Sequence, residues 1–488
     1  MKKWSLLILV SLSVGMVSYV PKSPPNILFI AIDDLRPDLG CYGNPIVQSP
    51  NLDRLASEGS LFTNHFVQVP TCGASRHALL TGNRPVTKRH LSNNISAEIL
   101  SQNKEPEIPE TFIHQLRRKG YHTTGIGKIS HSADGYVYGY TEAKSEVREL
   151  PYSWDEVLFD PGKWKTGWNA FFAYANGENR QSMNKQVKPY ENGQVDDVGY
   201  PDGLSANLAI EKIKELKSSS KPFFLGVGFF KPHLPFNSPS KYWDLYSEKE
   251  IDVSPNASIP ENVNLKSLHS SGEFNQYALG DEEASLFAPV SDQYARKLRR
   301  AYYSGISYID AQVGKVLDEL KRSGLEENTI VVIWGDHGWH LGDHLVWGKH
   351  TLFERALKST LIIKNPKLKN TNKQVESIVE SIDIFPTLMD LCGVDYSFET
   401  HGSSFAEQMK SNKVSVDEFA YSYYNNGISL RTKQYRLTKY YRMEDPTLEL
   451  YDHQSDPNET KNIAAENEEI VAMLLPLLEE GNTGLYIK

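Results

Sequence analysis

The run NILFIAI, Asn26 to Ile32, is continuously apolar and rich in β-branched and bulky side chains, and it stops abruptly at Asp33-Asp34. A strand covered on both faces reads this way, because neither face meets water. The same grammar recurs in YHTTGIGK (residues 121–128), with His131 just beyond, and in PFFLGVGFFKPH (222–233), which ends in Lys231 and His233. It recurs again in NTIVVIWGDH (328–337), which ends in Asp336 and His337. Four buried strands therefore deliver ionisable residues at their carboxyl ends.

Helical stretches lie between them: PETFIHQLRRKG (109–120) and the long amphipathic run of residues 294–324, each closed by glycine. Strand and helix in alternation imply an α/β fold, a large mostly parallel sheet sandwiched by helices. In such sheets the ligand crevice lies outside the carboxyl ends of the strands, so residues distant in sequence can converge on one site. From about Asn370 the texture changes. One helix is expected over SIVESIDIFPTLMDLCG (377–393), then short polar strands in GISLRTKQYRLTKYY (427–441) and LELYDH (448–453), then a closing helix near residues 464–481. This reads as a smaller C-terminal α+β subdomain with an antiparallel sheet. The division expected is a leader over residues 1–22, a catalytic domain over 23–369 and the subdomain over 370–488.

The leader, MKKWSLLILVSLSVGMVSYV, has a basic start and an apolar stretch, the grammar of a secretory signal peptide that places the protein in the periplasm or outside the cell. It lacks a clean A-x-A cleavage site, so an uncleaved anchor is the alternative. The 488 residues carry 52 basic and 61 acidic side chains, a formal charge of -9, which disfavours nucleic acid and anionic membranes as partners. An anionic substrate must then be captured by a local cluster of cations or a metal. Three cysteines, Cys41, Cys72 and Cys392, widely spaced and odd in number, make no disulfide framework.

Asp33, Asp34 and Asp336 are hard oxygen donors that would repel one another unless a cation neutralised them, which points to Ca²⁺ or Mg²⁺. His337 in register with them is a nitrogen donor that suits Zn²⁺ or Mn²⁺ better. A basic set, Arg76, Lys128, His131, His233 and Lys349, sits at strand ends or in the loops beyond them and can stabilise an anionic group through charge-assisted hydrogen bonds. Between His131 and Arg180 lies an insertion-like segment holding Trp154, Trp164 and Trp168 with several Tyr and Phe, whose ring faces suit sugar C–H surfaces.

The stretch Cys72-Gly73-Ala74-Ser75-Arg76, followed by HALLTG, resembles the signature C-x-P/A-S-R-x-x-x-L-x-G of the formylglycine-dependent sulfatases in the alkaline phosphatase superfamily. The resemblance runs through almost the whole chain, and DDLRPDLGCYGN, GKISH, KPHLPF, DHGWHLGDH and WGKHTLFE are similar to the iduronate-2-sulfatase branch. It implies that Cys72 is oxidised to formylglycine (3-oxoalanine) by a maturation enzyme and that the hydrated aldehyde is the nucleophile. It further implies one metal ion, normally Ca²⁺ with Mg²⁺ the lesser alternative, held by Asp33, Asp34, Asp336, His337 and the modified residue 72. Arg76 and Lys128 would hold and polarise residue 72, His131 would serve its diol, and His233 and Lys349 would bind sulfate and assist the leaving oxygen. Ala74 departs from the proline most members carry, at a position read by the maturation enzyme. The substrate implied is a sulfated polysaccharide or its oligosaccharides, uronate-containing, such as ulvan or a glycosaminoglycan. The alternatives are a phosphate or phosphonate monoester hydrolase of the same superfamily, and a non-catalytic binder of sulfated glycans if Cys72 stays a thiol.

Overall fold

Burial on both faces decides the central strands. In the computed structural model, which describes residues 24–107, 109–368, 373–411 and 419–486, eight strands form one sheet: β1 (Asn26–Ile32), β2 (Ser60–Phe66), β3 (His122–Gly127), β4 (Glu156–Leu158), β5 (Phe223–Phe229), β6 (Thr329–Gly335), β7 (Leu361–Lys364) and β8 (Gln374–Glu380). The leader expected over residues 1–22 lies outside the described residues. The strand order is β8-β2-β7-β6-β1-β5-β3-β4. All run the same way except β7, which is antiparallel to β2 and β6. Every residue of β1, β5 and β6 is buried, as their unbroken apolar runs require.

The pleat of β1 feeds two cores. Leu28, Ile30 and Ile32 face one packed by α1 (Pro50–Glu58), α4 (Pro201–Leu216) and the long α5 (Asp292–Arg322). Ile27, Phe29 and Ala31 face the other, packed by α2 (Cys72–Thr81), α3 (Phe112–Arg118) and α6 (Ile384–Cys392). The sheet is thus covered on both faces and its carboxyl edge is left for chemistry.

One expectation is corrected. Residues 377–393 are not a single helix: residues up to Glu380 belong to β8, which pairs in parallel with β2, and only Ile384–Cys392 is α-helical. The β-branched residues Val375, Ile378 and Val379 find an open backbone partner in β2, and that pairing overrides a pattern ambiguous in sequence. A capping box between Glu380 and Asp383 turns the chain into the helix.

A second sheet of four antiparallel strands follows, β9 (Ala420–Tyr424), β10 (Gly427–Arg431), β11 (Tyr435–Tyr440) and β12 (Thr447–Asp452), in sequence order. The helix α7 (Glu468–Glu480) seals one face through Leu474 and Leu478 against Tyr421, Tyr423 and Leu437. The β9–β10 turn carries Asn425 and Asn426, both with positive φ, which a tight hairpin of this kind demands. That turn projects back toward the carboxyl edge of the large sheet, where Tyr424 stacks on His350 with ring centroids 5.4 Å apart. No helix among the described residues is long and apolar enough to cross a membrane.

Candidate active site

The strand ends converge. Asp33 and Asp34 follow β1, Lys128 follows β3, His233 follows β5 and Asp336-His337 follow β6, and all are buried. Two glycines make room. A side chain on Gly228 would meet the Lys128 carbonyl oxygen at 2.1 Å, and one on Gly73 would meet that of Asn93 at 2.1 Å. The first lets β3 and β5 end side by side, and the second seats the first turn of α2.

Arg76 is the wedge of the cluster. Its guanidinium donates to Asp336 Oδ2 (2.9 Å), Asp33 Oδ1 (3.0 Å) and the backbone oxygens of Lys128 and Ile129. With its planar fork spent on these partners it orients the carboxylates and does not itself reach the pocket. Lys128 Nζ donates to Asp33 Oδ2 at 2.6 Å and lies 4.4 Å from the centroid of Phe171. Lys349 Nζ donates to Asp34 Oδ1 at 2.9 Å and is 3.2 Å from Cys72 Sγ, which is also 3.2 Å from His337 Nε2.

Burial opposes ionisation of Asp33, but Lys128 and Arg76 outweigh it and hold that carboxyl well below the usual range. Asp34 goes the other way: burial raises it well above the usual range in spite of Lys349 and His337. Burial, with Asp33 adding to it, pushes the Cys72 thiol up to about 12, so this is no preactivated thiolate. Burial and the Lys128 charge keep His131 neutral far below its ordinary range, and burial with Lys349 pushes His233 down to about 4. Lys349 stays firmly protonated, since Asp34 outweighs its burial.

A metal ion fits these residues. Asp34 Oδ2 is buried without a hydrogen-bond partner, and Asp33, Asp34, Cys72 and His233 each bring a donor atom to metal-binding spacing. His337 donates from Nδ1 to the Gly338 carbonyl (2.9 Å), which turns the Nε2 lone pair toward Asp34 Oδ1, 3.3 Å away. Asp336 and His337 reach the same Cys72 at that spacing, so three carboxylates and the His337 imidazole stand in two groups joined at residue 72, a donor set that suits a cation.

A pocket of about 670 Å³ opens above the cluster. Cys72, Lys128, His131, His233 and Lys349 line it, whereas Asp33, Asp34, Arg76, Asp336 and His337 sit behind. Lys231 turns away: its Nζ donates to the carbonyls of His233 (3.0 Å) and Pro235 (2.6 Å), fastening the loop that carries His233.

Several pocket residues have no counterpart in the sequence reading. Glu273 is the most telling: Oε1 lies 3.2 Å from His233 Nε2, Oε2 lies 3.6 Å from Lys349 Nζ, and the latter oxygen has no hydrogen-bond partner. It comes from an irregular loop with no strand-end grammar. Arg180, His269, His350, Tyr424 and Asn425 also line the wall. The aromatic segment behaves unevenly. Trp154 packs in the core, and the indole N–H groups of Trp164 and Trp168 donate to the carbonyls of Tyr174 and Tyr138, so these rings build the segment. Tyr140, Phe171 and Phe172 are the rings that face the pocket.

The chain is similar to known proteins over most of its length. The sulfatase family model matches residues 25–394, and a model described as N-sulphoglucosamine sulphohydrolase, C-terminal, matches residues 342–482. A sulfatase of Formosa agariphila is 32% identical over 458 residues, covering 90% of this chain and 83% of the relative. Human iduronate 2-sulfatase is 32% identical over 397 residues, covering 76% of this chain and 69% of the relative. Among solved structures, a phosphonate monoester hydrolase from Silicibacter pomeroyi shares the fold with a TM-score of 0.74 at 21% identity, covering 94% of this chain and 95% of the other.

Proposed function

The chain belongs to the sulfatase family, whose members hydrolyse sulfuric esters, and from that premise we propose that it is an exported enzyme that removes sulfate from a uronate-containing glycan or its oligosaccharides. The observation that carries the reading is Cys72 on the pocket floor, 3.2 Å from both His337 Nε2 and Lys349 Nζ, beside a carboxylate oxygen without a partner. The likeness to iduronate 2-sulfatase supports the uronate; the apolar start of the chain supports export.

A formylglycine hydrate at position 72 would supply the nucleophilic oxygen, and Asp33, Asp34, Asp336 and His337 would hold a Ca²⁺ ion, which would supply positive charge against the sulfate. Burial holds the unmodified Cys72 thiol up at about 12, which makes it a poor nucleophile at neutral pH. The side chains supply the rest. Lys128 and Lys349, both protonated, face the sulfate oxygens. His233 holds its Nδ1 proton on the Leu234 carbonyl (2.6 Å), and because the ring is neutral in the free site its Nε2, 3.2 Å from Glu273, takes up a second proton only when substrate binds. Glu273 favours the protonated ring, and the negative charge of a bound sulfate adds to it, so Nε2 can give its proton to the departing sugar oxygen as the S–O bond breaks. His131, kept neutral, takes the proton of the second hydroxyl of the hydrate, which lets sulfate depart and the aldehyde return. Phe171, packed 4.6 Å from His233, keeps bulk water from that side.

The test is sulfate release from ulvan, carrageenan and glycosaminoglycan oligosaccharides by protein matured with a formylglycine-generating enzyme. Release from the uronate-containing polymers, lost in Cys72→Ala, supports the reading. Phosphate or phosphonate ester cleavage without sulfate release would favour the second reading, which the shared fold of the phosphonate hydrolase keeps in play.

A further inference from the structure

One cation of the pocket has no work in the chemistry above. Arg180 lines the wall, is only 4% exposed, and its Nε is buried without a hydrogen-bond partner. Lys128 and Lys349 each have a carboxylate within hydrogen-bond distance, at 2.6 and 2.9 Å. Among the described residues no carboxylate pairs with the Arg180 guanidinium. It lies instead on the face of Phe172, 3.7 Å from the ring centroid, and 5.3 Å from that of Tyr277.

The chain holds it there deliberately. A bridge between Ala173 and Asn179 folds residues 172–180 into a tight loop, and the Arg180 N–H donates back to the Phe172 carbonyl at 3.1 Å. Phe172 packs on Phe171 (4.7 Å), and Phe171 packs on His233 (4.6 Å) and under Lys128. Arg180 is therefore on the wall that carries the sulfate-facing residues, two aromatic rings away from them. A buried guanidinium without a counter-charge is costly in the free protein, and an incoming anion offsets that cost. Its planar fork matches a carboxylate or sulfate by two parallel hydrogen bonds.

We propose that Arg180 is a specificity-determining residue that binds a second anionic group of the substrate, a carboxylate or a further sulfate ester, while the first sulfate sits over residue 72. The proposal rests on the glycan reading above and names the ligand chemistry of the far wall. Phe172 and Tyr140, whose centroids are 5.3 Å apart, give the sugar ring between the two anions an apolar surface.

Wild type, Arg180→Gln and Arg180→Lys, all matured, are compared on a sulfated uronate disaccharide, its carboxyl-reduced counterpart, a disulfated hexosamine and 4-nitrophenyl sulfate. Arg180→Gln is expected to cut kcat/KM on the doubly anionic sugars about 10- to 100-fold more than on the aryl sulfate, chiefly through KM, with partial recovery in Arg180→Lys. A loss that vanishes on carboxyl reduction assigns the carboxylate; a loss that persists on the disulfated hexosamine alone assigns the second sulfate. An equal loss on aryl and anionic substrates, or none on either, overturns the proposal. Calorimetry of the sulfated uronate disaccharide with Cys72→Ala, with and without Arg180→Gln, reads the same contact without turnover. Equal affinities there overturn the proposal even if sulfate is released, and absence of sulfate release with a retained affinity difference would fault the catalytic reading alone.

Discussion

Two buried clusters of acids, bases and histidine sit in this molecule, and they are built to opposite ends. At the carboxyl edge of the large sheet, Asp34 Oδ2, His131 Nδ1 and Glu273 Oε2 are buried without hydrogen-bond partners, and a pocket opens above them. Beside the second sheet, Glu354, Arg431, Arg436, His453 and Glu459 pair with one another, although a pocket of about 530 Å³ also opens on Glu354, Arg431 and His453. Arg436 donates to Glu459 (2.6 Å) and Glu354 (2.5 Å), Arg431 to Glu354 (3.1 Å), and His453 lies 3.1 Å from Glu459. No buried side-chain nitrogen or oxygen of these five lacks a partner. Glu354, His453 and Glu459 also gather at metal-binding spacing, so proximity of donors does not separate the two; satisfaction does. A completed network holds the fold, and an incomplete one waits for a ligand.

The difference can be broken from either side. Cys72→Ala should lower sulfate release roughly 10⁴-fold or more while leaving the melting temperature close to that of the unmodified protein, as initial rates and thermal melts of matched preparations would show. Arg436→Leu should do the reverse, leaving Glu459 buried without its arginine and Glu354 with Arg431 as its remaining arginine, and costing about 3–5 kcal/mol in denaturant unfolding. Acid should reach the closed cluster through Glu459. Burial opposes its ionisation, but Arg436 and His453 hold it at about 2, below the ordinary 4.5 of a glutamate. A depressed carboxyl contributes stability that is complete above about 4.5 and is lost as pH falls through about 2, up to roughly 3 kcal/mol; Glu459→Gln should flatten the stability profile in that window. The open cluster should answer to metal instead. Calcium at a hundredfold excess over its dissociation constant should stabilise the wild type by about 2.7 kcal/mol, and Asp34→Asn should abolish that shift.

How much of this was legible in the sequence follows the same division. β1, β5 and β6 could be read because a strand buried on both faces permits little but apolar residues, and the charges at their ends stand out against that background. Asp33, Asp34, Asp336 and His337 were accessible for that reason, and Cys72 through the residues around it. β8 was not, because a short β-branched run reads equally as helix until β2 is known to lie beside it. Glu273 and Arg180 were not, because they stand on irregular loops whose shape is set by packing against distant segments. The three tryptophans misdirect for a related reason: composition marks an aromatic segment, and only packing tells which rings face inward and which, like Tyr140, face the pocket.

The contrast is tested most directly by sulfate released per folded molecule from a uronate-containing oligosaccharide, measured side by side for matured wild type, Cys72→Ala and Arg436→Leu. Release that disappears in Cys72→Ala and persists at the wild-type rate in folded Arg436→Leu is the predicted result. Undiminished release by Cys72→Ala, or its loss in folded Arg436→Leu, would contradict the assignment of chemistry to the open cluster and structure to the closed one.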